Sequence, residues 1–370
     1  MRPLRPTPVV DLDYRQHLEQ VGRRAGLHRV GVTGAEVLHR ARHELHRRRE
    51  LGLHDGMSFT YRNPDRSTDP RASVRDARAV VVGARSYWMD EPERPDGAQG
   101  RIARYAWVDH YAPLREGLWA MARNLRADGF SAVVFADDNS LVDREVAWKA
   151  GLGWFGKNAN LLLPDAGSWF VLGAVVTDAP LPVAVTPVDD GCGRCQRCIP
   201  ACPTGAIVAD GVIDAAACLA WVLQKPGVIP RHLRSAVGDR MYGCDDCQTS
   251  CPPSTRLGPR HPATGVSEPH AWLDVVVLLD AEDDRVLDMW GRWYLADRDP
   301  VWARRNALVV LGNTADGRAP AVERVLLRHL HHPSPMVRVH ATWAARRLGR
   351  PDLLPVDDDP DVTAEQTCPL

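Results

Sequence analysis

The sequence has no apolar run near the ~18 residues that a membrane-spanning helix needs, so no membrane association is expected. Its first residues, MRPLRPTPVVDLDYRQ, lack the apolar core of a secretory leader, and a cytoplasmic location is the default expectation. Charge of one sign is also missing. The net charge is −1, so no global field draws the chain onto nucleic acid, and any such contact must come from local patches. With 370 residues, 45% hydrophobic and 25% charged, the chain is long enough for two or three ordinary globular domains.

What is present in excess is local. Eight of nine cysteines fall between Cys192 and Cys251. In a cytoplasmic protein that crowding argues for metal ligation over disulfides. Cys192, Cys195, Cys198 and Cys202-Pro203 form C-x₂-C-x₂-C-x₃-C-P, the run that wraps a 4Fe–4S cube in bacterial ferredoxins. Cys244, Cys247 and Cys251-Pro252 form a second run short of one ligand, which Cys218 can supply. Because the fourth cysteine of each run serves the other cluster in such folds, one cluster is expected on Cys192, Cys195, Cys198 and Cys251. The other is expected on Cys202, Cys218, Cys244 and Cys247. Paired zinc sites are the alternative, which the double use of this spacing disfavours. Cys368, near the end of an acidic, proline-rich tail, is expected to be unligated.

The pattern predicts an α+β multidomain chain. Residues 1–185 read as an α/β domain, with strands at 78–85, 131–137 and 169–178 and a helix over 110–130 closed by Gly129. Pro180, Pro182 and Pro187 mark a linker to a double-cluster domain at 186–258. Residues 259–350 read as helical. Arg304–Ala307 and Arg338–Ala341 open two similar helices, followed by Gly312 and Gly349, in the manner of HEAT-type repeats. The tail 351–370 is expected to be disordered.

Clusters fully ligated by protein carry single electrons and do no substrate chemistry themselves. More than 180 residues in front of them imply a second redox centre that they feed, hence a reductase.

In order and spacing, Asp137 with Leu141-Val142-Asp143-Arg144, AGLGWFGKN (150–158), GSWFVLG (167–173), CPTGAI (202–207), YGCDDCQ (242–248) and RRNALVVLGN (304–313) resemble the epoxyqueuosine reductase family over roughly residues 20–350. The resemblance implies a cobalamin-binding α/β domain, a double-cluster ferredoxin domain and a HEAT-like domain that helps hold tRNA. The implied reaction is reduction of epoxyqueuosine to queuosine at the tRNA wobble position by cob(I)alamin, with electrons from an external low-potential donor. A monomer is also implied. Asp137 matches the family's proton donor, and its pKa must then be raised by burial or by Asp138 and Asp143. Arg144, Lys157, Asn158 and Ser168 are candidates for the corrin amides or phosphate. Asp245 and Asp246 either meet the cofactor face or satisfy loop N–H groups. Where the family has D-T/S-G-P this chain has Asp137-Asp138-Asn139-Ser140, and W-G-x-D-Y-H is replaced by Trp107-Val108-Asp109-His110-Tyr111. These changes leave room for a paralogue acting on a small, dehalogenase-type substrate; a bare electron carrier is a third possibility. Nine arginines between Trp302 and Arg350, with Arg304-Arg305 and Arg346-Arg347 adjacent, and the basic stretch His39–Arg49, suit phosphate contacts.

Overall fold

The protein is described here by a computed structural model, which covers residues 9–59, 61–183 and 188–369. The first eight residues, Pro187 of the linker and the expected 185/186 boundary lie outside the described residues.

Four strands, β1 (Arg29–Gly34), β2 (Ala79–Ser86), β3 (Ala132–Ala136) and β4 (Phe170–Thr177), form a sheet in the order β1-β2-β4-β3. Every neighbour pair is antiparallel, with Val81 opposite both Val32 and Val175. The strands read as continuous apolar runs because helices cover both faces, although such runs are more usual in parallel sheets. Odd-numbered residues Val81, Val171 and Val175 pack with helix α1 (Leu12–Arg24) and helix α3 (Tyr111–Ala127). Even-numbered Val80, Val82, Leu172 and Val176 pack with Ala41 of α2 (His39–Glu50) and with Val146 and Ala147 of α4 (Asp143–Lys149). The period-two alternation thus splits one sheet into two cores.

A second, three-stranded sheet draws on three stretches of chain. Gln99–Ile102 lies centrally, parallel to Arg240–Tyr242 and antiparallel to Trp272–Asp274. A single hydrophobic cluster runs from here through Val222, Leu233 and Trp290 into the C-terminal helices α5 (Val301–Thr314), α6 (Pro320–Leu330) and α7 (Pro335–Arg347). Gly312 does not end α5. It lies inside it, where a Cβ would sit 2.7 Å from the Trp343 ring and 3.0 Å from Ala344 Cα, so glycine permits the close α5–α7 packing.

Two expectations are corrected. The tail is ordered: Asp359 caps helix α8 (Pro360–Thr367), whose Val362 is 1% exposed. Glu365 pairs with Arg231 at 2.8 Å and Arg234 at 3.0 Å, and Asp357 with Arg338 at 2.6 Å. Acidic composition suggested disorder because the basic partners are remote in sequence. The pair Arg304-Arg305 does not form a phosphate-binding surface, since both side chains are buried. Arg304 bonds Asp283 at 2.7 Å, and Arg305 bonds main-chain carbonyls. Arg324, Arg328 and Arg350 are likewise paired with carboxylates, and Arg346 donates to the Glu365 and Cys368 carbonyls.

Candidate active site

Asp137 directly follows β3. Its φ of 54° lies in the left-handed region, which is uncommon for a residue with a Cβ and costs backbone energy. The residue is open to solvent on one side. Burial of its inner side raises the carboxyl pKa above the ordinary value; Arg115 opposes this, and Asp109 and Asp138 add to it. Asp143, at the first turn of α4, is also raised, chiefly by burial, against Arg144 and with Asp137. Tyr111, at the start of α3, has its phenol pKa pushed up by burial and then by Asp143 and Asp137. Asp137, Asp143 and Tyr111 therefore share one electrostatic pocket, with Arg115 and Arg144 as its cations.

The two unusual segments have local structural explanations. Asp138 Oδ1 accepts the Ser140 N–H at 2.7 Å, so the added carboxylate holds the loop that glycine and proline would otherwise shape. Asp109 Oδ1 accepts the Tyr111 and Ala112 N–H groups at 3.0 Å each, capping α3 and setting Tyr111 toward the pocket. Trp107 is buried and donates to the Ile102 carbonyl at 2.8 Å. His110 is fully buried beside Tyr87, and burial lowers its pKa to about 4.

The cysteines gather as two groups. An open pocket is lined by Cys192, Cys195, Cys198 and Cys251, together with Gly156 and Lys157. The Cys198 thiol is raised by burial and then by Cys251, Cys192 and Cys195. The Cys247 thiol is pushed up by burial and then by Cys244 and Cys218, with Cys202 also adjacent. Buried thiols of raised pKa hold thiolates only with cationic metal beside them, which suits an iron cluster in each group. Among the described residues the three-ligand convergence within 4.8 Å lies elsewhere, so the thiols are spaced more widely than a single tetrahedral zinc ion requires.

The remaining sequence candidates are not equivalent. Asn158 Nδ2 donates to the Cys247 carbonyl at 2.9 Å, and Ser168 Oγ meets Gln248 Oε1 at 3.0 Å and Ser254 Oγ at 2.8 Å. Both are buried and engaged with the second cysteine run. Lys157 pairs with Asp210 at 3.2 Å, and exposed Arg144 donates to the Ala159 carbonyl at 3.1 Å. Asp246 pairs closely with Arg240, and lies 3.6 Å from Arg101. Asp245 is buried; its Oδ2 accepts the Arg104 N–H at 2.6 Å while Oδ1 has no partner among the described residues.

Residues 191–254 match the 4Fe–4S double cluster binding domain. An epoxyqueuosine reductase of Xanthomonas campestris pv. campestris is 32% identical over 369 residues, covering 93% of this chain and 98% of its own. One of Vibrio cholerae is 32% identical, covering 90% and 92%. The chain belongs to the epoxyqueuosine reductase family. A solved epoxyqueuosine reductase with an epoxyqueuosine-modified tRNA-Tyr stem loop superposes with a TM-score of 0.84 at 27% identity, covering 96% of this chain and 97% of that one. Another, from Bacillus subtilis, superposes at 0.85, with the same identity and coverage and its catalytic aspartate loop swung out of the active site.

In this epoxyqueuosine reductase family member, sequence reading missed several residues that build the site. Arg104 is buried among Trp88, Trp107 and Trp169, 4.4, 4.5 and 5.2 Å from their ring centres. Arg40 makes a two-pronged contact with buried Glu145 and stacks on Trp148 at 4.2 Å, anchoring the helix that begins at Asp143. The sequence does not show these contacts: Trp88 and Trp169 are remote from Arg104 along the chain, and Arg40, which it marks only as part of the basic stretch His39–Arg49, meets Glu145 105 positions away.

Proposed function

We propose that this chain reduces epoxyqueuosine to queuosine at the wobble position of tRNA. The oxirane oxygen leaves as water, the two oxirane carbons become an alkene pair, and two electrons and two protons are consumed. The observation that carries the reading is Asp137: in a member of this family, a carboxyl of raised pKa stands at a strand end beside Tyr111 and Asp143. A protonated Asp137 supplies the proton to the oxygen released as the ring opens. Burial, with Asp109 and Asp138, raises its pKa and so favours the protonated form, and Arg115 opposes them.

Two clusters, when bound, would supply one-electron transfer from an external low-potential donor. Cys192, Cys195, Cys198 and Cys251 hold one, and Cys202, Cys218, Cys244 and Cys247 hold the other. Cobalamin, when bound, would supply the two-electron reducing chemistry that removal of the oxirane oxygen requires. The buried Oδ1 of Asp245, unpartnered among the described residues, and the exposed guanidinium of Arg144 fit the amide-rich rim of such a group, with Lys157 lining the neighbouring pocket. Asn158, Ser168 and Asp246 serve it through the cysteine loops that they fix. The described helices include none long and apolar enough to cross a membrane. The enzyme acts on tRNA as a cytoplasmic monomer. The division at 185, 258 and 350 is retained as a functional one, although the second sheet stitches the three parts together.

The test is anaerobic reconstitution with iron, sulfide and cobalamin, then incubation with a reductant and an epoxyqueuosine-bearing anticodon stem-loop. Mass spectrometry is expected to show loss of one oxygen atom from the nucleoside. Protein with full iron and cobalamin content that leaves the stem-loop unchanged would overturn the proposal.

A further inference from the structure

The geometry points to a further, mononuclear metal site, formed by His28, Asp165 and His261, for one divalent transition-metal ion of the zinc class. The three side chains each offer a ligand atom, and these atoms lie within 4.8 Å of one another. They come from the residue before β1, the turn between Leu161–Leu162 and β4, and the connector that leaves the second cysteine run.

Each ligand is placed by main-chain bonds of its own segment. The His28 N–H donates to the Ala84 carbonyl at 2.8 Å, which fixes it to the sheet edge. Asp165 sits in a turn closed by the Leu163 N–H on the Gly167 carbonyl at 2.8 Å. His261 is carried by a connector that docks through the Ala263 N–H on the Trp88 carbonyl at 2.7 Å and Arg85 Nη2 on the Thr264 carbonyl at 2.5 Å. The Ser86 hydroxyl also donates to the His261 carbonyl. The two imidazoles meet edge to face with centroids 4.3 Å apart, and His261 Nε2 lies 3.1 Å from the Asp165 carbonyl oxygen.

One ring nitrogen stands out. His28 Nε2 is buried yet has no hydrogen-bond partner among the described residues. A buried polar atom without a partner is unfavourable unless something coordinates it. Arg29 holds Oδ2 of Asp165, which leaves Oδ1 for a cation. Two imidazoles and one carboxylate suit zinc, cobalt or nickel, whereas magnesium and calcium select sites built from oxygen alone. A bound ion would join positions 28, 165 and 261 and clamp the connector between the cysteine runs and the C-terminal helices onto the first sheet.

The test uses holoprotein with both clusters assembled, handled anaerobically, with iron and zinc measured together after dialysis against zinc. Counting zinc only beyond any iron lost separates this site from the cysteines. One extra zinc per chain is expected, and hydrogen exchange of residues 258–265 should slow when zinc binds. His28→Gln and His261→Gln, each checked for unchanged iron content, should weaken zinc binding at least tenfold and abolish the slowing. Cys368→Ser should change neither. If wild type takes up no zinc beyond lost iron, or if the two histidine variants bind it as wild type does, the site does not exist. Should His28→Gln fail to retain its clusters, the His261→Gln result decides, because that ring lies on a surface connector.

Discussion

Arg305 Nη1 lies 2.7 Å from the carbonyl oxygen of Gly227, and the same nitrogen reaches the Lys225 carbonyl at 2.7 Å. Its neighbour Asn306 donates to the Leu223 carbonyl at 2.8 Å and to the Met241 carbonyl at 3.2 Å. These acceptors follow Cys218 and precede Cys244 by a few residues each. Helix α5 is therefore a splint across the two segments that carry ligands of one cysteine group. Arg305→Ala leaves several buried carbonyls unpaired and should cost about 3 kcal/mol. Urea unfolding checks the stability, and iron content should fall toward half, with the first cysteine group retained. Arg305→Lys should rescue little, because a single ammonium cannot span the carbonyl set.

The crossed cysteine assignment makes a separate prediction. Cys195→Ser and Cys251→Ser should lose the same cluster, and Cys218→Ser the other. Iron and sulfide analysis with low-temperature spectroscopy of each reconstituted variant would check this. A Cys251→Ser protein that instead lost the cluster damaged by Cys218→Ser would exclude the crossing.

Asp137→Asn should lower conversion by roughly 10²–10⁴-fold, the range of a lost general acid, with iron content unchanged. The acid must be protonated, so turnover should be lost as pH rises through its raised pKa. Arg115 pulls that pKa down and Asp138 pushes it up. Arg115→Gln should therefore move the alkaline limb of the pH–rate profile upward, and Asp138→Asn should move it downward. Profiles of the three proteins, measured under single-turnover conditions, check the sign.

Arg40→Ala strands the buried Glu145 carboxylate and should destabilise the chain by about 2 kcal/mol. Adding Glu145→Gln should recover part of the loss. Because α4 begins at Asp143, conversion should fall in the single variant and partly return in the double one, as measured by the stem-loop assay.

His340 is fully buried, its Nδ1 bonded to the Met336 carbonyl at 2.7 Å and its Nε2 accepting the Ile229 N–H at 3.1 Å. That pair of bonds fits only the neutral ring, and burial lowers its pKa well below the ordinary value. Below pH ~6.5 the unfolded chain takes up a proton that the folded chain refuses, so stability falls as pH falls. His110 and His329, both lowered to about 4, act in the same direction, chiefly through burial. His340→Gln should be less stable than wild type at pH 7 and lose less between pH 6.5 and 5, by urea unfolding followed with tryptophan fluorescence.

The sequence alone determined the cysteine chemistry, because cluster ligation needs a fixed short spacing that a linear chain displays directly. It also marked the strands of the first sheet, whose two-sided burial demands unbroken apolar runs, and Asp137 through its place in a familiar order of motifs. Only the tertiary structure decided which charges serve and which merely hold. Arg304 and Arg305 look like a phosphate patch in the chain, but α5 turns them inward onto Asp283 and the Cys218 segment. The acidic tail looks disordered until Glu365 and Asp357 meet Arg231, Arg234 and Arg338. A charge is solvated or buried according to partners that lie far along the chain, and composition carries no record of that distance.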